Sequence, residues 1–257
     1  MIVGIVFVLA LLLNCQLAFV KLNKVPSKLI RTSLLADNNG VTENKTRPWE
    51  LGRFFKTLQY FDVLRPKFKF FTKAVASNVV KKRFIFWSET ERSLLQWGPL
   101  DDVVMGGVSK SNLIAGTSFD GNWTGVVTSA NNGGFAGIRT KLFTPPFDVS
   151  SCDGFEINVT GDGQRYKFIA RDEGDWNGVA WSLSFDTIKD KPVQVKIPFK
   201  NLKPTKFAKI ISSMRNFNQS TLCGIQLTLS KFEYNDALNP IFREGPFRLI
   251  VNSIETY

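Results

Sequence analysis

The sequence contains no histidine. Histidine is the side chain whose ordinary pKa lies near neutrality. Its absence removes the usual general base, Ser or Cys nucleophiles activated by imidazole, and histidine-ligated zinc. Hydrolase chemistry is therefore disfavoured from the outset. Cysteine is scarce, with only Cys15, Cys152 and Cys223. Cys15 falls in a segment read below as one that is removed, and the other two are too far apart in sequence for a metal motif. Two readings stay open for them: a disulfide, or two buried thiols in neighbouring strands, the plainer of the two. No internal repeat is present, and no alternation of strands and helices suggests a parallel sheet, so a dinucleotide-binding fold is disfavoured as well.

Acidic residues are missing from residues 1 to 36, which carry four basic ones. The net charge of +11 invites a nucleic-acid reading, which its distribution removes. From Trp87 to Tyr257 there are 18 Lys and Arg against 18 Asp and Glu, whereas residues 37 to 86 hold 11 basic and four acidic residues. Attraction to anionic surfaces belongs to the N-terminal third, and no nucleic-acid partner is expected. With 257 residues there is room for one domain of about 170 residues plus extensions, and such a domain buries roughly 70% of its unfolded surface.

Residues Ile2 to Leu13 are almost continuously apolar, too short for a comfortable membrane span and suited to the hydrophobic region of a signal peptide. After Ala18-Phe19-Val20 come Lys21, Lys24, Ser27, Lys28, Arg31, Thr32 and Ser33, a composition typical of a transit peptide. A signal peptide joined to such a segment resembles the bipartite presequences of plastids of secondary origin. Residues 1 to 36 are therefore expected to be a presequence addressing the chain to such a plastid, with the mitochondrion as the alternative. Four glycosylation sequons, at Asn44, Asn122, Asn158 and Asn218, are read as chance, since Asn158 lies inside a strand-like run.

Residues 37 to 83 form a basic, aromatic extension. Leu51, Phe54, Phe55, Leu58 and Phe61 fall at helical spacing and predict an amphipathic helix that Pro66 ends. Phe68, Phe71, Val75 and Val79 suggest a second. Two readings are open: Phe54, Phe55, Leu58, Phe61, Phe68 and Phe71 dock on a membrane or a hydrophobic subunit through residues 47 to 86, or the helices pack on the edge of the following domain. From Phe84 the period becomes two: Phe155, Ile157 and Val159, then Val193, Val195 and Ile197, then Ile225, Leu227 and Leu229, then Phe247, Leu249 and Val251 alternate with polar residues. Gly, Asn, Asp and Pro clusters separate these runs. The pattern predicts an all-β fold, an antiparallel sandwich over residues 84 to 257.

Three clusters recur in one order: Trp97-Gly98-Pro99-Leu100-Asp101-Asp102 through Met105-Gly106-Gly107-Val108-Ser109, then Asn131-Asn132-Gly133-Gly134 through Arg139-Thr140, then Gly161-Asp162-Gly163-Gln164-Arg165-Tyr166-Lys167. Paired glycines beside short polar residues imply turns needing positive φ or close chain approach. Together the clusters resemble the signature of the complex I intermediate-associated protein 30 family. The resemblance implies a galactose-binding-like jelly roll and the role of a non-enzymatic assembly factor, with subunits or assembly intermediates of a membrane complex as partners. By resemblance that complex is NADH:ubiquinone oxidoreductase, with a thylakoid complex as the client a plastid address would favour. No cofactor or metal is implied.

The residues expected to meet a partner are Asp101, Asp102, Met105, Gly106, Gly107, Ser109, Gly133, Gly134, Arg139, Arg165, Tyr166, Lys167 and Trp176. Catalysis by Asp101 and Asp102 is disfavoured because adjacent residues of an extended segment point to opposite faces. One is expected to cap amides of the Met105-Gly106-Gly107 turn while the other faces solvent or a partner; calcium binding there is a lesser reading. Mutual bracing of the loops is the plainer reading of the clusters. Trp176 is expected to protrude from the loop Arg171 to Trp176. A second functional class, a carbohydrate-binding module of the secretory pathway, draws on Trp123, Trp176 and Trp181 as stacking platforms and predicts a Cys152 to Cys223 disulfide.

Overall fold

In the computed structural model the residues described are 49–63, 77–78, 96–116, 120–212 and 215–257. The presequence, Phe68 and Phe71 lie outside them. Among the described residues helix α1 (Leu51–Tyr60) comes first, followed by β1 (Ser77–Asn78), β2 (Trp97–Pro99), a 3-10 turn (Asp102–Met105), β3 (Lys110–Ala115), β4 (Gly121–Val127) and β5 (Phe135–Thr140). Then come β6 (Phe147–Asp148), β7 (Gly154–Thr160), β8 (Arg165–Arg171), β9 (Ala180–Asp186), β10 (Pro192–Pro198), β11 (Lys203–Lys206), β12 (Lys209–Ile210), β13 (Gly224–Ser230) and β14 (Gly245–Thr256). Ser77 and Asn78, placed by the spacing in a second helix, instead pair in parallel with β6.

The period-two runs pair into two antiparallel sheets, one of five strands in the order β10-β7-β14-β4-β3 and one of seven in the order β12-β11-β9-β8-β13-β5-β2. The chain is thus the expected antiparallel β-sandwich. Alternate side chains of each strand point inward, which puts Phe155, Ile157 and Val159 of β7, Ile225, Leu227 and Leu229 of β13, and Phe247, Leu249 and Val251 of β14 in one core. Val193 and Val195 are only half-buried because β10 is an edge strand. Trp123 and Trp181 belong to this core, with Trp123 edge-on to Phe247 at 5.0 Å, so neither offers a face to a sugar. Cys152 is buried, Cys223 half-buried, and no disulfide joins them.

Two features depart from the alternation. First, α1 packs on the sandwich: Phe54 and Leu58 are 4% and 2% exposed and form a satellite core with Val103 of the 3-10 turn. The compact unit therefore runs Arg47–Tyr257, with α1 part of it. Second, β13 is buried on both faces, Gln226 and Thr228 included. The outer face of the seven-stranded sheet is covered over this central strand, and polar side chains lie under the cover.

Candidate functional site

The first two glycine clusters are brought together by a pair of carboxylates. Asp102 is fully buried. One of its oxygens accepts from the Ser109 amide at 2.9 Å. The other accepts from the Ser109 hydroxyl at 2.6 Å and the Gly134 and Phe135 amides at 2.8 and 3.3 Å. Asp101, 1% exposed, accepts from the Ser111 amide and hydroxyl at 2.9 and 2.6 Å and from the Gly137 amide at 3.3 Å. Adjacent carboxylates on opposite faces of the chain tie the turn before β3 to the start of β5 at two levels. The expectation that one would face solvent is corrected: both are sealed, because every one of their carboxylate oxygens accepts from a backbone amide. Those donors also occupy the directions from which a calcium ion would have to approach.

Close approach explains the glycines. A Cβ on Gly107 or on Gly133 would overlap the Asp102 carboxylate. Gly106 closes the 3-10 turn at φ 90° and Gly134 sits at φ 126°, a region that L side chains rarely adopt. Met105 stays 55% exposed at the tip of the turn. Ser109, fully buried, extends the network by accepting from the Thr128 amide at 3.0 Å.

Helix α1 locks this brace from outside. Arg53 donates to Asp101 at 3.0 Å and to the Ser109 carbonyl at 3.0 Å. The Trp49 indole donates to the Val103 carbonyl at 2.8 Å and the Tyr60 hydroxyl to the Trp97 carbonyl at 2.7 Å. A Cβ on Gly98 would strike the Tyr60 ring, which explains that glycine. Of the docking residues expected on the helix, Phe54 and Leu58 face the sandwich, Phe55 is 48% exposed, and Phe61 packs on Trp176 at 5.7 Å between ring centroids. The interior reading holds for one stripe, while Leu51 and Phe55 face solvent.

Burial pushes the Asp101 carboxyl up to about 6, against the Ser111 hydroxyl and amide, the Gly137 amide and Arg53, which pull it down. The folded chain then holds this proton more tightly than the unfolded one, whose carboxyl titrates near 4. Stability contributed here is present below about pH 4, falls as the pH rises towards about 6 and is level above, a loss of about 3 kcal/mol. Urea unfolding from pH 4 to 7 is expected to show this downward slope in the wild type minus Asp101→Asn difference. A flat difference curve would refute it.

The third cluster lies at the same end of the seven-stranded sheet, linked to the second through the segment after β13: the Lys231 amide donates to the Gly134 carbonyl at 2.8 Å and Asn239 to the Arg165 carbonyl at 3.1 Å. Tyr166 is fully buried in the main core, its hydroxyl on Asp162 at 2.9 Å, so it cannot touch a partner. Arg165 is engaged by both oxygens of Asp186 at 2.5 and 2.9 Å. Lys167 is buried, donating to the Phe232 and Glu233 carbonyls at 2.7 and 2.6 Å, and burial pushes its ammonium down to about 8. The alternation in β8 explains all three: Tyr166 points inward and its neighbours outward, Lys167 beneath the Phe232–Tyr234 segment.

Arg139 is 3% exposed, its guanidinium 4.9 Å from the Trp176 ring and 5.8 Å from Phe61. Trp176 therefore does not protrude; it is half-buried as a lid on a buried cation. Sequence reasoning missed Arg53, Ser111 and Gln226 as members of these networks, and named Arg171 as the start of the loop that ends at Trp176. The signal for Ser111 was its position two residues after Ser109, which puts both hydroxyls on one side of the chain beside the paired carboxylates; Arg53 meets Asp101, and Gln226 faces Arg139, across long stretches of sequence, and no local pattern marks them.

Residues 84–251 match the family model described as Complex I intermediate-associated protein 30. No curated protein matches the sequence significantly. Among solved structures, the family 11 carbohydrate-binding module of the cellulosomal cellulase Lic26A-Cel5E of Clostridium thermocellum is similar at 17% identity over 68% of this chain and 93% of that one, with a TM-score of 0.48. A family 11 module from the same organism, in complex with a beta-1,3-1,4-mixed-linked tetrasaccharide, gives 16% identity, 68% and 94% coverage and a TM-score of 0.49. The agarase AgWH50C gives 9%, 68% and 24%, with a TM-score of 0.44.

Proposed function

We propose, on the premise that this chain belongs to the complex I intermediate-associated protein 30 family, that it is a non-enzymatic assembly factor holding an immature subunit or subassembly of a membrane complex. Complex I is the client the family name supplies, and a thylakoid complex is the client if the presequence directs the chain to a plastid. The observation that carries the reading is the use made of the signature residues. Every oxygen of Asp101 and Asp102 is taken by amide, hydroxyl or guanidinium donors, so the clusters supply rigidity rather than a base or nucleophile.

A braced sandwich suits a scaffold, since a surface fixed before binding loses little entropy on docking. Leu51 and Phe55 on α1 and Met105 on the 3-10 turn, each about half exposed, are the apolar groups such a client or a bilayer surface would cover. The carbohydrate-binding alternative has lost support, with Trp123 and Trp181 in the core and Trp176 over Arg139.

Affinity purification of the tagged mature chain from the organelle in which a fluorescent fusion resides tests the proposal. A subset of subunits of one membrane complex, recovered without the finished complex, is the expected result. Recovery of a glycosylated chain alone from the secretory pathway would overturn it.

A further inference from the structure

Arg139 is a buried cation and Arg171 a half-buried one, held near one another. Guanidinium stays charged in proteins, and a charge taken from water is costly unless it is paired. Among the described residues, neither arginine has a carboxylate within ion-pair distance, and Arg139 Nε, Arg171 Nε and Arg171 Nη1 are sealed from solvent without a hydrogen-bond partner. Burial and the Arg171 charge hold the Arg139 guanidinium well below its ordinary range. Burial pushes Arg171 down to about 10, with Asp175 the acidic group that pulls it back. Two cations against one nearby carboxylate leave one positive charge in excess.

The strand register shows where a counter-charge would lie. Gln226 stands directly opposite Arg139 and Gly224 directly opposite Arg171, on the central strand between them. Gln226 is 7% exposed; its amide nitrogen donates to Thr228 at 3.0 Å, and its carbonyl oxygen is a further sealed atom without a partner. Gly224 contributes no side chain, and among the described residues a Cβ placed there would meet only the Thr140 hydroxyl, at 3.2 Å, within 4 Å. Neither guanidinium fills that space. Buried polar groups are almost always satisfied, so three unpartnered nitrogens and one unpartnered carbonyl on one patch of a sheet face form a prepared site.

We propose that Arg139, Arg171 and Gln226 form a binding site for one carboxylate monoanion, above Gly224 and beside Trp176. The guanidinium groups donate to the carboxylate oxygens, and Gln226 accepts from an N–H or O–H next to the carboxylate, as an α-hydroxy acid or a peptide terminus provides. The carboxylate is either a free organic acid or a group borne by a polypeptide. This inference goes beyond the assembly role and does not depend on it.

Sodium glycolate, an α-hydroxy acid, is the probe, titrated into the mature chain against sodium chloride at equal ionic strength. Saturable shifts of the Arg139 and Arg171 Nε–H and Trp176 indole resonances are expected with glycolate alone. Arg171→Gln weakens this titration about tenfold or more, the worth of one hydrogen bond to a charged group. Gln226→Leu keeps both charges, serves if Arg171→Gln does not fold, and weakens the titration about threefold or more. Loss of partner proteins from the Arg171→Gln purification identifies a polypeptide as the source, and unchanged recovery beside a lost titration identifies a free acid. No saturable shift in the wild type, or the same titration in both variants, overturns the site.

Discussion

Asp102→Asn is expected to lower folding stability by about 4 kcal/mol, the largest effect of any single substitution in the brace. The reason is the polarity of its surroundings. One carboxylate oxygen faces the Ser109 amide and the other faces the Gly134 and Phe135 amides and the Ser109 hydroxyl. An asparagine can match only one of these sides; whichever way its amide turns, an NH2 group meets a backbone N–H. Two effects add: a buried donor is left unsatisfied, and the hydrogen bonds that remain lose their charge. A domain of ordinary stability has about 5–15 kcal/mol to lose, so the variant is expected to be largely unfolded well below the wild-type denaturation midpoint. Ser109→Ala removes one hydroxyl and leaves the amides served, so about 1–2 kcal/mol is expected. Urea unfolding followed by tryptophan fluorescence measures both. An Asp102→Asn midpoint close to the wild-type value would show that the carboxylate does not hold the loops together.

Leu58→Ala is expected to cost about 3 kcal/mol and to release α1 before the sandwich unfolds. Leu58 fills the satellite core with Phe54 and Val103, and the helix has ten residues, too short to persist in water without that contact. Its release also withdraws Arg53 from Asp101, which leaves a buried carboxylate without its cation. Limited proteolysis reads the event directly: cleavage within residues 51–60 of Leu58→Ala, with the sandwich intact, is expected. Phe55→Ala, on the neighbouring, solvent-exposed stripe of the same helix, removes a half-exposed ring and is expected to change stability by about 0.5 kcal/mol or less. Equal protection of α1 in Leu58→Ala and the wild type would refute the clamp.

Both expectations rest on contacts that differ in how far they could be read from residues alone. The strands of Phe155 to Val159 and Phe247 to Val251 were legible because alternation is a local property, and the helix at Leu51 because its apolar stripe repeats at helical spacing. The glycine pairs were legible as turns. What each glycine makes room for was not: Gly107 and Gly133 both clear the same carboxylate from different loops. Tyr166 was misplaced on the surface because its cluster was read as a loop, whereas it is the second residue of β8 and points inward.

Sequence by itself determined the class of fold, the place of its turns and the exclusion of histidine chemistry, since residue type and short-range periodicity fix which faces prefer water. Tertiary structure alone decided that Asp101 and Asp102 are buried braces, that Arg53 reaches one of them, and that Arg139, Arg171 and Gln226 share one sheet face. Those outcomes depend on strand order and on what covers a sheet. Desolvation and hydrogen-bond geometry act there between residues that are far apart along the chain.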